Sequence, residues 1–325
     1  MITTNIMGGL GNQMFQIFNA ISYTLDNCCQ FVFPDEKVLY AGENTTLRHA
    51  YWDSIFYKLQ PFLKNEKDIK HDIKIYEKYD SSYTPLPSIN ELINYTNQKN
   101  NISKTSIDVH FTGYFQSHKY FQHNYDKIIK LLDFNKIKRE VLDFVSSEND
   151  LEYLLDNSIS LHFRIGDFVK YTNSHIILSD QYYANAIKTI IDKLRDSDNN
   201  TEFDSKQYNI IYFCEQEDIN TVCKRIENIQ KLLGESMINN TGKIYNCVFI
   251  KSPSILTDWQ EILFMSMCKH NIIANSSFSW WGAYLNENLD KIVCYSSIYY
   301  SKNYNKKIED LFPENWIKIQ DNYIE

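Results

Sequence analysis

From residue 158 onward, short apolar runs recur between amphipathic stretches. Runs at 158–163, 208–214, 245–250, 271–274 and 291–295 predict strands, and apolar residues at helical spacing predict helices over 180–195, 217–233 and 255–269. Strict alternation of strand and helix predicts a parallel sheet covered on both faces. The first half opens in the same way. Ile2-Thr3-Thr4-Asn5-Ile6 reads as a buried strand, Gly8-Gly9-Leu10-Gly11-Asn12-Gln13 as a glycine turn, and Met14, Phe18, Ile21 and Leu25 as the stripe of a helix running from Gln13 to about Leu25. Phe31-Val32-Phe33 reads as the next strand. Between 40 and 105 the pattern weakens into Asn, Lys, Tyr and short runs such as Ile73-Lys74-Ile75-Tyr76, which predicts loops and small helices, an insertion facing an acceptor. A strand over 108–117 and a helix through Ile128, Ile129 and Leu132 follow. The polar run Ser146-Ser147-Glu148-Asn149-Asp150 is the expected boundary between an N-terminal domain, 1–150, and a C-terminal domain, 151–325. A tail helix from Ile308, packing back on the first half, is also expected.

Length and composition fit this division. A chain of 325 residues, 43% hydrophobic and 23% charged, is long enough for two ordinary cores. A net charge of −8 with no basic stripe argues against a nucleic-acid partner, so an anionic ligand must be held locally. Seven cysteines, with Cys28 and Cys29 adjacent and no metal-type spacing, suggest reduced thiols and a cytoplasmic setting. Residues 1–25 carry no charge, yet Asn5, Asn12, Gln13, Gln16 and Asn19 interrupt them, which speaks against a signal peptide. No stretch reaches the ~20 apolar residues of a membrane span. Peripheral contact with a membrane surface stays open.

Two stretches carry candidate chemistry. Asn275-Ser276-Ser277-Phe278-Ser279-Trp280-Trp281 follows an apolar strand and precedes a helical run, so Ser277 or Ser279 is placed to cap a helix start. A capped helix start off the end of a strand is an anion site. Ile159-Ser160-Leu161-His162-Phe163-Arg164-Ile165-Gly166-Asp167-Phe168 is a second strand, ending in an arginine that can grip phosphate in two places. Arg164 with Asp167 could equally be a surface ion pair. The bunched glycines at 8, 9 and 11 are not a dinucleotide fingerprint, though they allow close backbone approach to a ligand. Asp196-Ser197-Asp198 mimics a metal-binding acid pair, but lies in a polar run where solvated acids are expected. His110, His118, His123 and His175 have no partner at zinc-ligand spacing.

With Gly8-Gly9-Leu10-Gly11-Asn12-Gln13-Met14-Phe15-Gln16, Gly113-Tyr114-Phe115-Gln116, His162-Phe163-Arg164-Ile165-Gly166-Asp167-Phe168 and Asn275-Ser276-Ser277-Phe278-Ser279-Trp280-Trp281 in this order, the chain resembles the α-1,2-fucosyltransferases of glycosyltransferase family eleven. The resemblance implies an α/β, GT-B-like fold of two Rossmann-like domains with a donor cleft between them. It also implies GDP-L-fucose as donor, a galactoside-type glycan as acceptor, inversion at the fucose C1 and no metal or other cofactor. Carried onto this chain, it sets Arg164 on the departing β-phosphate and Asn275, Ser276, Ser277, Phe278 and Ser279 around the diphosphate. Gly9, Gly11 and Asn12 would close from the other domain, and His162 and Asp258 would lie near guanine or ribose. Asp167 is the first candidate for the base, or else orients the guanidinium. Two departures stand out. Ile165 and Phe168 replace the family's usual second arginine and tyrosine, and Phe213-Cys214-Glu215-Gln216 replaces Phe-Ser-Asp-Asp. They leave open transfer of another 6-deoxyhexose, transfer to a different hydroxyl, or a silent glycan- or nucleotide-binding protein.

Overall fold

The computed structural model describes residues 1–39, 47–146, 154–170, 175–197, 206–238, 244–302 and 304–321. The chain forms two compact units, Met1–Ile137 with Lys306–Pro313, and Lys138–Asn305 with Glu314–Glu325. Residues 147–150 of the expected boundary lie outside the described residues.

Unit 1 is built on three parallel strands, β1 (Ile2–Thr4), β2 (Ile73–Tyr76) and β3 (Val109–Thr112), in the order β1-β3-β2. Helix α1 (Leu10–Asp26) begins at the glycine turn and is buried along nearly its whole length, because Met14, Phe15, Phe18 and Ile21 face the core. Its Tyr23 ring meets Phe111 of β3 at 5.0 Å. Ile73-Lys74-Ile75-Tyr76, expected to be irregular, is therefore a sheet strand, its pairing with β3 supplying what four residues of local pattern cannot. Helices α2 (Ile89–Asn100), α3 (Tyr125–Leu131) and α4 (Phe134–Ser146) complete the first part of the chain, and the division between the units falls inside α4.

Unit 2 holds six parallel strands, β4 (Ser158–His162), β5 (Tyr208–Phe213), β6 (Cys247–Lys251), β7 (His270–Ile272), β8 (Val293–Ser296) and β9 (Ile317–Ile319). Their order is β6-β5-β4-β7-β8-β9, so the strand order reverses between β4 and β7. This is the doubly wound arrangement, in which ligands bind outside the carboxyl ends of the strands at the reversal. One face is covered by α5 (Asp180–Ser197) and α6 (Ile219–Ile238), which bury Ile159, Leu161 and Phe163 of the β4 run with Ile210 and Ile272. The other face carries α7 (Asp258–Met265) and α8 (Ser277–Tyr284). There Asn271 of β7 donates to Ser160 Oγ at 2.7 Å and to the Met265 carbonyl at 2.9 Å, fixing α7 against the sheet.

The tail differs from expectation. Residues 308–313 form turns rather than a helix, because Asp310 is held as an irregular segment by Ser117 Oγ on its carbonyl and Tyr83 N–H on its carboxylate, at 2.6 and 3.0 Å. The chain then returns to unit 2 as β9, a three-residue strand too short to show periodicity.

Candidate active site

Strand alternation decides which side chains of the β4 run face α8. Ile159, Leu161 and Phe163 enter the core under α5 and α6, so Ser160, His162 and Arg164 lie on the opposite face. The register of β4 on β7, with Leu161 opposite Ile272, brings the segments following both strands to the same edge of the sheet. The His162 and Phe278 rings lie 5.4 Å apart. The two motifs predicted to hold a ligand therefore meet at the reversal point.

Helix α8 is capped by Ser276, not by Ser277 or Ser279. Ser276 has extended backbone, and its hydroxyl accepts the Phe278 N–H at 3.3 Å. Ser277 is the first helical residue, and the Ser279 hydroxyl accepts the Ala274 N–H at 3.1 Å, tying the helix start to the end of β7. Asn275 is buried, its Nδ2 donating to the carbonyls of Ile176 and Tyr299 at 2.8 and 3.0 Å. Its Oδ1 is buried with no hydrogen-bond partner among the described residues. The helix is anchored by Trp280 and Trp281, both fully buried. Gly282 lets α8 approach α7, since a Cβ there would sit 2.7 Å from the Met265 Cβ.

Arg164 is held from two sides, by Asp167 and by Glu215. Its guanidinium also lies 5.0 Å from the Phe168 ring centroid, and Phe168 is stacked on His175 at 4.1 Å. Glu215, which follows β5, is the partner that sequence reasoning missed. Its acidic character in the segment 213–216 was visible, but a pairing across 51 positions was not. Gly166 has φ +33° and is the close-approach point of this loop, because a Cβ would lie 2.6 Å from the Glu215 carboxylate. Its N–H donates to Asp218 at 2.8 Å. Ile165, at the place of the family's second arginine, is buried in the core.

His162 is buried, and its Nδ1 has no hydrogen-bond partner among the described residues. Burial, with Arg164 and Lys251 nearby, pushes its pKa down to about 3. The unfolded chain takes up this proton near pH 6.5, so this contribution to stability is present above that pH and is lost as pH falls. At pH 5 one such histidine costs about 2 kcal/mol. The urea midpoint should therefore drop between pH 7 and 5, and drop less in His162→Gln; an equal drop in both proteins would contradict this account.

Asp258 opens α7 and accepts the N–H of its neighbour Trp259 at 2.8 Å. One turn on, Glu261 accepts from Ser252 Oγ at 2.9 Å and lies 3.9 Å from Lys251 Nζ at the end of β6. Burial raises its pKa against the opposing pull of Lys251.

In unit 1 the glycine loop is similarly ordered. Gly8 has φ +77°, and a Cβ there would lie 2.5 Å from the Asn12 amide nitrogen. Gly9 caps α1, and Gly11 is buried in its first turn. Asn12 Oδ1 accepts from Gln116 Nε2 at 2.7 Å, which joins the first and second resemblance motifs.

Residues 1–320 match the sequence profile of glycosyl transferase family 11. The chain belongs to glycosyl transferase family 11. It is a glycosyltransferase, moving a sugar from a nucleotide-sugar donor to a glycan acceptor. The chain is similar to an Escherichia coli α-1,2-colitosyltransferase, with 23% identity over 330 positions, covering 98% of this chain and 99% of the relative. It is also similar to the Escherichia coli O-antigen biosynthesis glycosyltransferase WbnK, with 26% identity over 340 positions, covering 97% and 99%. Among solved structures, Arabidopsis thaliana FUT1 in complex with GDP aligns at TM-score 0.42 and 11% identity, over 90% of this chain and 69% of that one. Family 11 transferases are generally metal-independent, and among the described residues no group of three or more His, Cys, Asp or Glu is placed to hold a metal ion. Of the Asp196-Ser197-Asp198 triplet, Asp196 lies near the end of α5 and Asp198 lies outside the described residues. No helix among the described residues is long and apolar enough to cross a membrane.

Proposed function

We propose that this transferase moves L-fucose from GDP-L-fucose to the 2-hydroxyl of a galactoside-type acceptor, with inversion at C1. The observation that carries the reading is the meeting of the Arg164 loop with the start of α8 at the strand reversal, marked by the contact between His162 and Phe278.

The chemistry follows from what departs. The bond between fucose C1 and the β-phosphate oxygen breaks with its electron pair going to GDP, while the acceptor hydroxyl oxygen attacks C1 from the opposite face and passes its proton to a water molecule. Positive charge grows on the sugar and negative charge on the phosphate. Arg164 stabilises the β-phosphate, and the N-terminal end of α8, with Ser276 to Ser279, takes the diphosphate through its dipole and N–H groups. Asn275 Oδ1, His162 and Asp258 lie toward the nucleoside. Asp167 and Glu215 both engage Arg164 and orient its guanidinium, so Asp167 acts by positioning. Asp167→Asn should then lower kcat by about tenfold to a hundredfold while leaving in place the acidic limb of the pH profile, where a required base would be protonated. Loss of that limb would instead make Asp167 the base.

A second reading follows from the relative named for colitose: the donor site accepts that sugar in place of fucose. Incubating the protein with GDP-fucose and GDP-colitose in competition, with a panel of galactosides, separates the two. GDP release with fucose found at the galactose 2-position by NMR supports the first reading; preferential colitose transfer replaces it. Binding of GDP-fucose and GDP-colitose without hydrolysis or transfer of either would contradict both.

A further inference from the structure

The carboxyl-end crest of the unit 1 sheet carries surface that the donor reading leaves unused. β2 ends at Tyr76, and the loop after it is locked to the loop after β3. The Glu77 N–H donates to the Thr112 carbonyl at 2.9 Å, and the Glu77 carboxylate accepts the Tyr114 N–H at 3.0 Å. Gly113, with φ +144°, leaves no room for a Cβ, which would lie 2.3 Å from that of Glu77. Gln116 carries the linkage on to Asn12 of the glycine loop. The returning segment braces the same loop from its other side, Lys307 N–H on the Asp80 carbonyl at 2.8 Å and Tyr83 N–H on Asp310 at 3.0 Å. Between these anchors stands Tyr79, 82% exposed, with Lys306 Nζ 5.6 Å from its ring centroid.

An exposed tyrosine alone is ordinary. A large ring on a loop fixed from both sides, at the end of a parallel sheet where ligands bind, is a contact surface ordered before anything arrives. We propose that Tyr79 is the stacking platform for a sugar ring of the acceptor glycan. The inference rests on the glycosyltransferase reading, which requires a saccharide to be held. A pyranose offers an apolar C–H face to an aromatic ring and hydroxyls to the amides and carboxylates around it. Lys306 covers one face of Tyr79, so the sugar lies on the other.

The test measures acceptor KM with N-acetyllactosamine, donor KM, and acceptor-free GDP-fucose hydrolysis for wild type, Tyr79→Ala, Tyr79→Trp and Tyr95→Ala. Tyr95 is the control: it is 53% exposed on α2, with Lys99 5.7 Å from its ring centroid. Tyr79→Ala should raise the acceptor KM about tenfold, with donor KM and hydrolysis unchanged. Tyr79→Trp and Tyr95→Ala should stay near wild type. An unchanged acceptor KM in Tyr79→Ala, or an equal rise in donor KM, overturns the platform while leaving the transfer reading intact. A wild-type protein that neither hydrolyses GDP-fucose nor moves its sugar overturns both.

Discussion

Replacing Arg164 with alanine is expected to lower turnover at saturating donor by about 10²- to 10³-fold, the loss that follows removal of one preorganised donor, worth about 3–4 kcal/mol, from a charge that develops in the transition state. The size of the effect comes from the setting. The guanidinium is held by Asp167, Glu215 and the Phe168 ring, so it need not reorganise when the phosphate charge appears. Arg164→Lys should recover little, because one ammonium cannot keep both acids and a phosphate in place at once. Donor KM should change less than kcat, since the gain lies in the departing diphosphate rather than in the intact donor. Turnover above a tenth of wild type in Arg164→Ala would discard the assignment.

The second large effect is structural. Trp280→Ala should cost about 3–5 kcal/mol, read as a fall in the unfolding midpoint, because it empties the space between α8 and the chain entering β9. Trp280 is fully buried, stacked on Tyr284 at 4.6 Å and packed against Trp281 and Trp316 at 5.1 and 5.5 Å. Trp280→Phe should lose less, as a smaller ring keeps part of these contacts. The proposed diphosphate site uses the other end of the same helix. GDP affinity, measured by calorimetry, should therefore fall in Trp280→Ala even at temperatures where the protein stays folded. Wild-type GDP affinity in a destabilised Trp280→Ala would separate the anchor from the site.

The second half of the chain was legible because its central strands are buried on both faces and its helices are amphipathic, which writes both periods into the residues. β4, β5, β6, β7 and β8 and helices α5, α6 and α7 stand within a few residues of where hydrophobicity alone puts them. β9 was not legible, since Ile317-Lys318-Ile319 gains its meaning only from β8 beside it. In the first half, β2 exists for the same reason, through its pairing with β3. The fine structure of the site was readable in kind but not in position. Three short polar residues in a row, Asn275, Ser276 and Ser277, announced a cap at the start of α8, and backbone geometry chose Ser276. Asp258 was singled out from the family pattern, whereas Glu261, one turn later, is the acid that joins Lys251 and Ser252. The pairing of Arg164 with Glu215 spans separate strands and had no local signal. Its effect is to hold the Arg164 guanidinium in place beside the buried Ile165.

The most direct test is a crystal structure of the GDP complex. The account predicts β-phosphate oxygens within hydrogen-bond distance of the Arg164 guanidinium and of N–H or hydroxyl groups at the start of α8, with guanine or ribose toward His162 and Asp258. A diphosphate bound elsewhere, or one touching Arg164 with the start of α8 turned away, would contradict it.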